Sequence, residues 1–307
     1  MRVEDAAALV PESFAARIST LEAEGGPSGS DWVATLPHLI AEVLPEWELA
    51  VDGEPMTGHC ALVLPVRGAG GPAEGGAKGA AALKLGWPHT DADGEHLALR
   101  AWDGRGAVRL LRADPRRSVL LLERLTTEDL TGMWDEEAVA VIAGLYADLH
   151  VDPLPQVPSL GPWASEILSR PAVAGLPRRY VEQARSTLRD LEGEGGARLL
   201  HGDLHYGNVL SDGTDWVAID PKPITGHPAW EIAPLLGNRF DEMGTGASLR
   251  WSVRRRVEVI CAVADLDEDL VRPVSQLREM VNAVWAIEDG DADRVSRAIA
   301  LIKALGD

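Results

Sequence analysis

The sequence predicts an α+β chain in two lobes: a small antiparallel sheet preceded by helices, then a mainly helical half, with an active site in the cleft between them. Three observations carry this. Short apolar strands cluster between residues 47 and 123. Apolar residues at helical spacing dominate after Arg124. A polar run, His201-Gly202-Asp203-Leu204-His205-Tyr206-Gly207-Asn208, interrupts the helical half with its own strand pair. The lobes are accordingly drawn at residues 1–124 and 125–307.

Residues 1–45 read as two helices broken by Glu24-Gly25-Gly26-Pro27, the second with Trp32, Leu36, Ile40 and Leu44 on one face. Residues 47–52, 59–66 and 80–85 read as strands. The Gly/Ala-rich stretch from Gly68 to Gly79 between the last two is expected to be a mobile hairpin tip. Residues 93–103 read as a helix with Leu97 and Ala101 on one face. Strands follow at 107–112 and 118–123, turning at Asp114-Pro115-Arg116. In the second half, Val139, Ile142, Tyr146 and Leu149 form one helical stripe. Val181, Ala184, Leu188 and Leu191 form another, stopped by Gly195-Gly196. Residues 198–220 form the loop and strand pair, and two or three helices from about 248 to 304 end the chain.

The polar run carries the chemistry. Asp203 is placed to orient a hydroxyl and accept its proton. Asn208, five residues on, and Asp220, at the end of Val217-Ala218-Ile219, supply oxygen donors that would hold Mg²⁺ on nucleotide phosphates. Phosphoryl transfer needs mainly positioning and charge neutralisation, so these three side chains form a working set. The His-x-Asp-x-His spelling admits a rival, a zinc-dependent hydrolase. The remaining histidines supply no further set at ligand spacing, so His201 is read as a brace for the loop and His205 as a loop residue near the phosphates.

Lys84 lies inside the apolar strand Ala80-Ala81-Ala82-Leu83-Lys84-Leu85. A charge there is costly unless paired. It reads as a phosphate contact held by Glu95, with Asp91 and Asp93 as competing partners and an edge-strand lysine facing solvent as the alternative. The glycines of residues 68–79 form neither Gly-x-x-x-x-Gly-Lys-Ser/Thr nor Gly-x-Gly-x-x-Gly. A better phosphate-covering turn is Met56-Thr57-Gly58-His59-Cys60, through its backbone N–H groups. The backbone near Glu123 and Leu125, where Leu120-Leu121-Leu122-Glu123-Arg124-Leu125 runs into the joint, is expected to meet an adenine edge. Glu231, in an apolar context, is expected to brace the catalytic loop. Glu288 and Asp289 end a helix whose inward stripe is Leu270, Val274, Leu277, Val281 and Val284. An acid at that helix C-terminus wants a cationic partner, either a substrate or one of Arg254, Arg255 and Arg256.

The net charge of −19 argues against a nucleic-acid footprint, which would be basic. It fits a cationic small-molecule partner, the alternative being an acidic surface that serves only solubility. Cys60 and Cys261 imply no disulfide framework, and the acidic first residues are no signal peptide. No run approaches the roughly 18 apolar residues of a membrane helix. A cytoplasmic monomer or weak dimer is the expectation, with no nucleic-acid or membrane partner.

These stretches resemble the aminoglycoside phosphotransferase superfamily, in its streptomycin 6-kinase and hydroxyurea phosphotransferase branch. The resemblance rests on Ala81 to Leu85, Leu99 to Leu111, Leu120 to Leu125, His201 to Leu210, Ala218 to Pro223 and Trp285 to Gly290. It implies a protein-kinase-like fold using ATP and Mg²⁺, with Asp203 as base, Asn208 and Asp220 as metal ligands and Lys84 as phosphate contact. Asp220-Pro221 stands where protein kinases have Asp-Phe-Gly, which implies no switch of that kind. The reaction expected is phosphorylation of a hydroxyl on a cationic antibiotic, foremost the 6-hydroxyl of streptomycin, conferring resistance. Acceptor contacts would come from Asp203, Glu288, Asp289, Asp241 and Glu242. The alternatives are another small hydroxyl compound (hydroxyurea, a sugar, an amino alcohol) and a regulatory protein that binds nucleotide without turnover.

Overall fold

The computed structural model describes residues 1–68, 79–89 and 94–306, apart from the side chain of Glu192. The tip of the Gly/Ala-rich stretch, and Asp91 and Asp93, lie outside the described residues. The chain divides into two compact units, Met1–Thr126 and Thr127–Asp307.

The first unit opens with three helices where two are expected: α1 (Val3–Ala7), α2 (Glu12–Ile18) and α3 (Gly29–Glu46). Pro11, in extended backbone at the start of α2, separates the first two. Ser28 caps α3 by accepting the Asp31 N–H. The α3 stripe of Trp32, Leu36, Ile40 and Leu44 is buried as expected. It packs on one face of a sheet made of β1 (Leu49–Val51), β2 (Met56–Thr57), β3 (Ala61–Gly68) and β4 (Ala80–Gly86), then β5 (Leu110–Asp114) and β6 (Val119–Glu123). The order is β1-β3-β4-β6-β5, with β2 beside β3, antiparallel throughout.

Leu62, Leu64 and Val66 of β3 and Leu83 and Leu85 of β4 alternate onto the face covered by Phe14, Ile18 and the α3 stripe. Each buried side chain of that size contributes about 1.5–3 kcal/mol. Helix α4 (Glu95–Trp102) follows, its N-terminus at Gly94. Its buried face is Glu95, Ala98, Leu99 and Trp102 rather than the expected Leu97 and Ala101, which are only half-buried. The large Trp102 ring and the partner held by Glu95 decide the rotation.

The second unit is helical around two small strand pairs. Helix α5 (Asp135–Leu149) buries Val139, Ile142, Tyr146 and Leu149. Then come α6 (Leu160–Ile167), α7 (Arg178–Glu194), α8 (Ala233–Leu236), α9 (Ala247–Ala264), α10 (Glu268–Glu288) and α11 (Ala292–Leu305). Strand β7 (Arg198–Leu200) pairs with β10 (Ile224–Gly226), and β8 (Val209–Ser211) pairs with β9 (Trp216–Ala218). Helix α10 is the buried spine, packed against α7, α9, α11 and the tight turn at Pro228–Ile232. Among the described residues, no helix is long and apolar enough to cross a membrane.

Candidate active site

Strand β7 delivers the chain into His201-Gly202-Asp203, and β8 and β9 close the loop behind it. The Ile219 N–H donates to Asn208 O at 2.9 Å, so Asn208 and Asp220 leave the β8–β9 ladder as near neighbours. Asn208 is buried, and its Nδ2 donates to Asp203 O at 2.9 Å. That bond fixes the amide through its nitrogen and leaves Oδ1 as the atom able to ligate a hard cation. Asp220 has φ 57°, a left-handed conformation directly before Pro221. Both features are disfavoured for a residue ahead of proline, and such strain concentrates at functional positions.

Gly202 lies at φ +81°, and a Cβ there would sit 2.0 Å from the carbonyl oxygen of Lys222. Only glycine fits, which lets the catalytic loop pass against the chain just after Asp220. The contact is reinforced by the Lys222 N–H donating to His201 O at 2.8 Å.

Glu231 braces this loop, as expected from its apolar surroundings. Fully buried, its carboxylate accepts the His201 N–H at 2.6 Å and the Gly202 N–H at 2.9 Å. Burial alone would push its carboxyl up. The facing His150 and the Gly202 N–H outweigh that and hold it below the usual carboxylate range. His150 Nε2 lies 3.8 Å away, beyond ordinary hydrogen-bond distance. His201 is buried too, and burial pushes its pKa down. Its Nε2 lies 2.9 Å from Ile219 O and its Nδ1 accepts from the Asp203 N–H at 3.3 Å. A neutral ring with the proton on Nε2 satisfies both. Both ring nitrogens are therefore taken up by backbone groups, so His201 serves the loop rather than offering a metal ligand. His205 Nδ1 accepts from the Gly207 N–H. Beyond it, Tyr206 anchors the loop by donating to Asp135 Oδ1 at 2.8 Å, and Arg256 holds that carboxylate from α9 at 2.7 and 2.9 Å.

Asp203 has a partner that the sequence reading missed. Lys222 Nζ donates to Asp203 Oδ2 at 2.9 Å. Among the described residues no hydrogen bond reaches Oδ1, so one carboxylate oxygen remains for an acceptor. Nothing in the spacing of Asp203 and Lys222 announces the pair; it arises from the close approach at Gly202.

In the first unit, Lys84 sits on central strand β4, opposite Val63 of β3 and Leu120 of β6. It faces away from the Leu83–Leu85 core side, and its Nζ donates to Glu95 Oε1 at 2.6 Å with both residues buried. The expected ion pair is present. The Gly58 N–H is taken up by Ala61 O, and the carbonyls of Gly58 and His59 both receive the Arg17 guanidinium from α2. The N–H of Glu123 donates to Arg109 O at 3.0 Å, and its Oε1 accepts the Arg109 N–H. Leu125 is half-buried.

The acids proposed for acceptor binding are exposed, and three carry arginine partners. Glu288 accepts from Arg170 at 2.9 Å, Asp289 from Arg294 at 2.6 Å and Asp241 from Arg297 at 2.9 Å. Glu288 is not on the inward stripe, and none of Arg254, Arg255 and Arg256 reaches it; these bind the last carbonyls of the chain, Glu136 and Asp135 respectively. Glu242 is exposed.

The buried acid on α10 is instead Glu279, which accepts from Asn282 at 3.2 Å. Burial pushes its carboxyl up to about 7, against the opposing pull of Asn282 and Arg278. The folded state therefore holds this proton more tightly than the unfolded chain, and stability falls as pH rises from the ordinary carboxylate range through about 7. Glu279→Gln removes this dependence. Relative to wild type, the variant is expected to gain up to about 3 kcal/mol between pH 5 and pH 8 in urea unfolding. An equal difference at both pH values would refute the assignment.

Residues 46–290 match the family described as aminoglycoside/hydroxyurea antibiotic resistance kinase. The chain belongs to that family. It is 38% identical to the streptomycin 6-kinase of Streptomyces glaucescens over 306 residues, 96% of each chain. It is 39% identical to the hydroxyurea phosphotransferase of Kitasatospora aureofaciens, over 92% of this chain and 82% of the relative. Among solved structures, aminoglycoside phosphotransferase APH(4)-Ia in ternary complex with ADP and hygromycin B shares the fold. Its TM-score is 0.55 at 13% identity, covering 86% of this chain and 98% of that one. The fold is thus the protein-kinase-like α+β fold of this family of small-molecule kinases, and the chain is an aminoglycoside-type phosphotransferase. The family match and its high-identity relatives favour turnover over a silent nucleotide binder.

Proposed function

We propose that the protein transfers the γ-phosphoryl group of ATP to a hydroxyl of streptomycin, at the 6-position, and so confers resistance. The carrying observation is the Asp203 carboxylate, held at Oδ2 by Lys222 and presented at Oδ1, on a loop braced by Glu231. The acceptor hydroxyl donates to Asp203 Oδ1. As its oxygen bonds to the γ-phosphorus, the bond from that phosphorus to the bridging β–γ oxygen breaks and ADP leaves. The hydroxyl proton passes to Asp203. Lys222 steadies the carboxylate through this change. Lys84, oriented by Glu95, is assigned to the nucleotide phosphates.

The oxygen donors Asn208 Oδ1 and Asp220 suit Mg²⁺, which keeps part of its water and phosphate shell. When bound, that ion neutralises charge on the nucleotide phosphates. The streptomycin assignment draws on full-length similarity to a streptomycin 6-kinase and on the net charge of −19, which favours an acceptor with two guanidinium groups. Glu288, Asp289, Asp241 and Glu242 are assigned to attracting that cation, the first three in competition with their arginines. A phosphate on the drug would weaken its attachment to ribosomal RNA, a polyanion. A reaction that consumes ATP belongs in the cytoplasm, and a monomer or weak dimer suffices for it.

The test is ADP release by purified protein with ATP and Mg²⁺ over streptomycin, other aminoglycosides, hydroxyurea and simple sugars. Streptomycin-dependent release, with the product phosphorylated at the 6-hydroxyl by NMR, is expected. Release with hydroxyurea alone would keep the kinase and discard the antibiotic, the reading that the second relative favours.

A further inference from the structure

Gly202 is held at both of its polar groups. Its N–H donates to Glu231, and its carbonyl accepts from Arg278 Nη2 at 3.4 Å. Arg278 lies on α10 and is 9% exposed. Its guanidinium carbon is 4.9 Å from the ring centre of Trp230, 5.5 Å from that of Trp285 and 5.8 Å from that of Trp163. The rings meet edge to face, 5.8 Å apart for Trp163–Trp230 and 5.6 Å for Trp163–Trp285. They come from α6, from the turn that carries Glu231, and from α10 itself.

Aromatic enclosures of this kind commonly bind the cation of a ligand. Here the enclosed cation belongs to the chain. Burying a guanidinium is costly, and indole faces together with a carbonyl acceptor offset that cost. Such an arrangement fixes the guanidinium in one place, and the backbone group that it reaches is the carbonyl of the peptide leading into Asp203. Rotation of that peptide would swing the Asp203 carboxylate out of line.

We infer that Arg278 is a positioning residue: with Asp203 as the base proposed above, it sets the plane of the Gly202–Asp203 peptide, opposite Glu231. The pair forms a clamp, with an anion on the N–H and a cation on the C=O of one glycine. Nothing in the sequence marks Arg278, because its partner lies 76 residues away.

The test compares Arg278→Met and Arg278→Lys with wild type in two measurements. The first is hydrogen exchange over residues 200–206, read by mass spectrometry, which needs no acceptor. Faster exchange there in Arg278→Met, with the rest of the chain protected, is expected. Unchanged exchange would overturn the clamp whatever the assays show. The second is turnover with the best acceptor. The expected result is a kcat lowered about 10- to 100-fold with the KM for ATP unchanged, since misplacement of a reacting group costs rate rather than nucleotide affinity. Arg278→Lys, which keeps a point charge but loses the planar fork, is expected to recover part of kcat. Wild-type kcat in folded Arg278→Lys and Arg278→Met would overturn the catalytic role. Failure of wild type to phosphorylate any acceptor would count against the proposed function, while exchange would still decide the clamp.

Discussion

Replacing Asp203 with alanine is expected to lower acceptor-dependent ADP release by about 100- to 10,000-fold, the usual worth of a positioned base. ATP binding is expected to persist, because the groups assigned to the nucleotide are Lys84, Asn208 and Asp220. Asp203→Asn sharpens the experiment. It keeps the shape of the side chain and a hydrogen-bond acceptor for Lys222 Nζ, now 2.9 Å from Oδ2, but it cannot accept the hydroxyl proton. It should therefore be nearly as inactive as the alanine variant. An Asn variant with close to wild-type kcat would mean that orientation alone suffices and that no base operates. Equilibrium nucleotide binding measured beside the kinetics separates the two losses, and an alanine variant unable to bind ATP would contradict the division of labour.

Gly202→Ala is expected to be the more damaging change, although it adds a single methyl group. The new Cβ would lie 2.0 Å from Lys222 O, a backbone atom that cannot step aside without its chain. The residue would also have to keep φ near +81°. To relieve the overlap, the segment from Asp220 to Lys222 must part from the catalytic loop. That breaks the Lys222–His201 backbone bond at 2.8 Å and displaces the proposed metal ligand and base together. A stability loss of about 3 kcal/mol or more is expected, as for substitutions that combine steric overlap with a forbidden backbone conformation. Turnover should fall to background even below the melting transition. Thermal unfolding and kinetics on one preparation check this, and a variant with wild-type Tm and kcat would show that the loop has room the structure does not reveal.

What the sequence disclosed depended on distance along the chain. The Asp203–Asn208 spacing, the carboxylate at the end of β9 and the lysine stranded in an apolar strand are local irregularities, and each lies where it was expected. Glu231 was legible because an acid among Trp230, Ile232 and Ala233 must find buried donors, and the nearest unsatisfied backbone is that of a tight loop. Lys222 and Arg278 were not legible. Each is an ordinary cation in its own neighbourhood, and its meaning comes from a backbone approach or an aromatic enclosure that only the fold creates. The arginine partners of Glu288, Asp289 and Asp241 were not legible for a related reason. Acidic residues are plentiful in a chain of net charge −19, and tertiary partners such as Arg170, Arg294 and Arg297 cannot be foreseen from spacing. The face of α4 was misjudged because two apolar residues were counted while a buried ion pair decided the rotation.

The three leading helices lie outside the matched span of residues 46–290. Yet Phe14, Ile18, Trp32, Leu36 and Ile40 are the wall against which β3 and β4 lay their leucines, and Arg17 ties down the turn at Gly58 and His59. At the other end, carbonyls of Ala304, Leu305 and Gly306 receive Arg254, Arg272 and Arg250. The span matched by the family model is therefore narrower than the span of residues that pack together, although the similarity to the streptomycin 6-kinase of Streptomyces glaucescens covers 96% of the chain. A fragment cut to the matched span would bare one side of its sheet to water and remove those carbonyls from the three arginines, so the matched span is not a unit of folding.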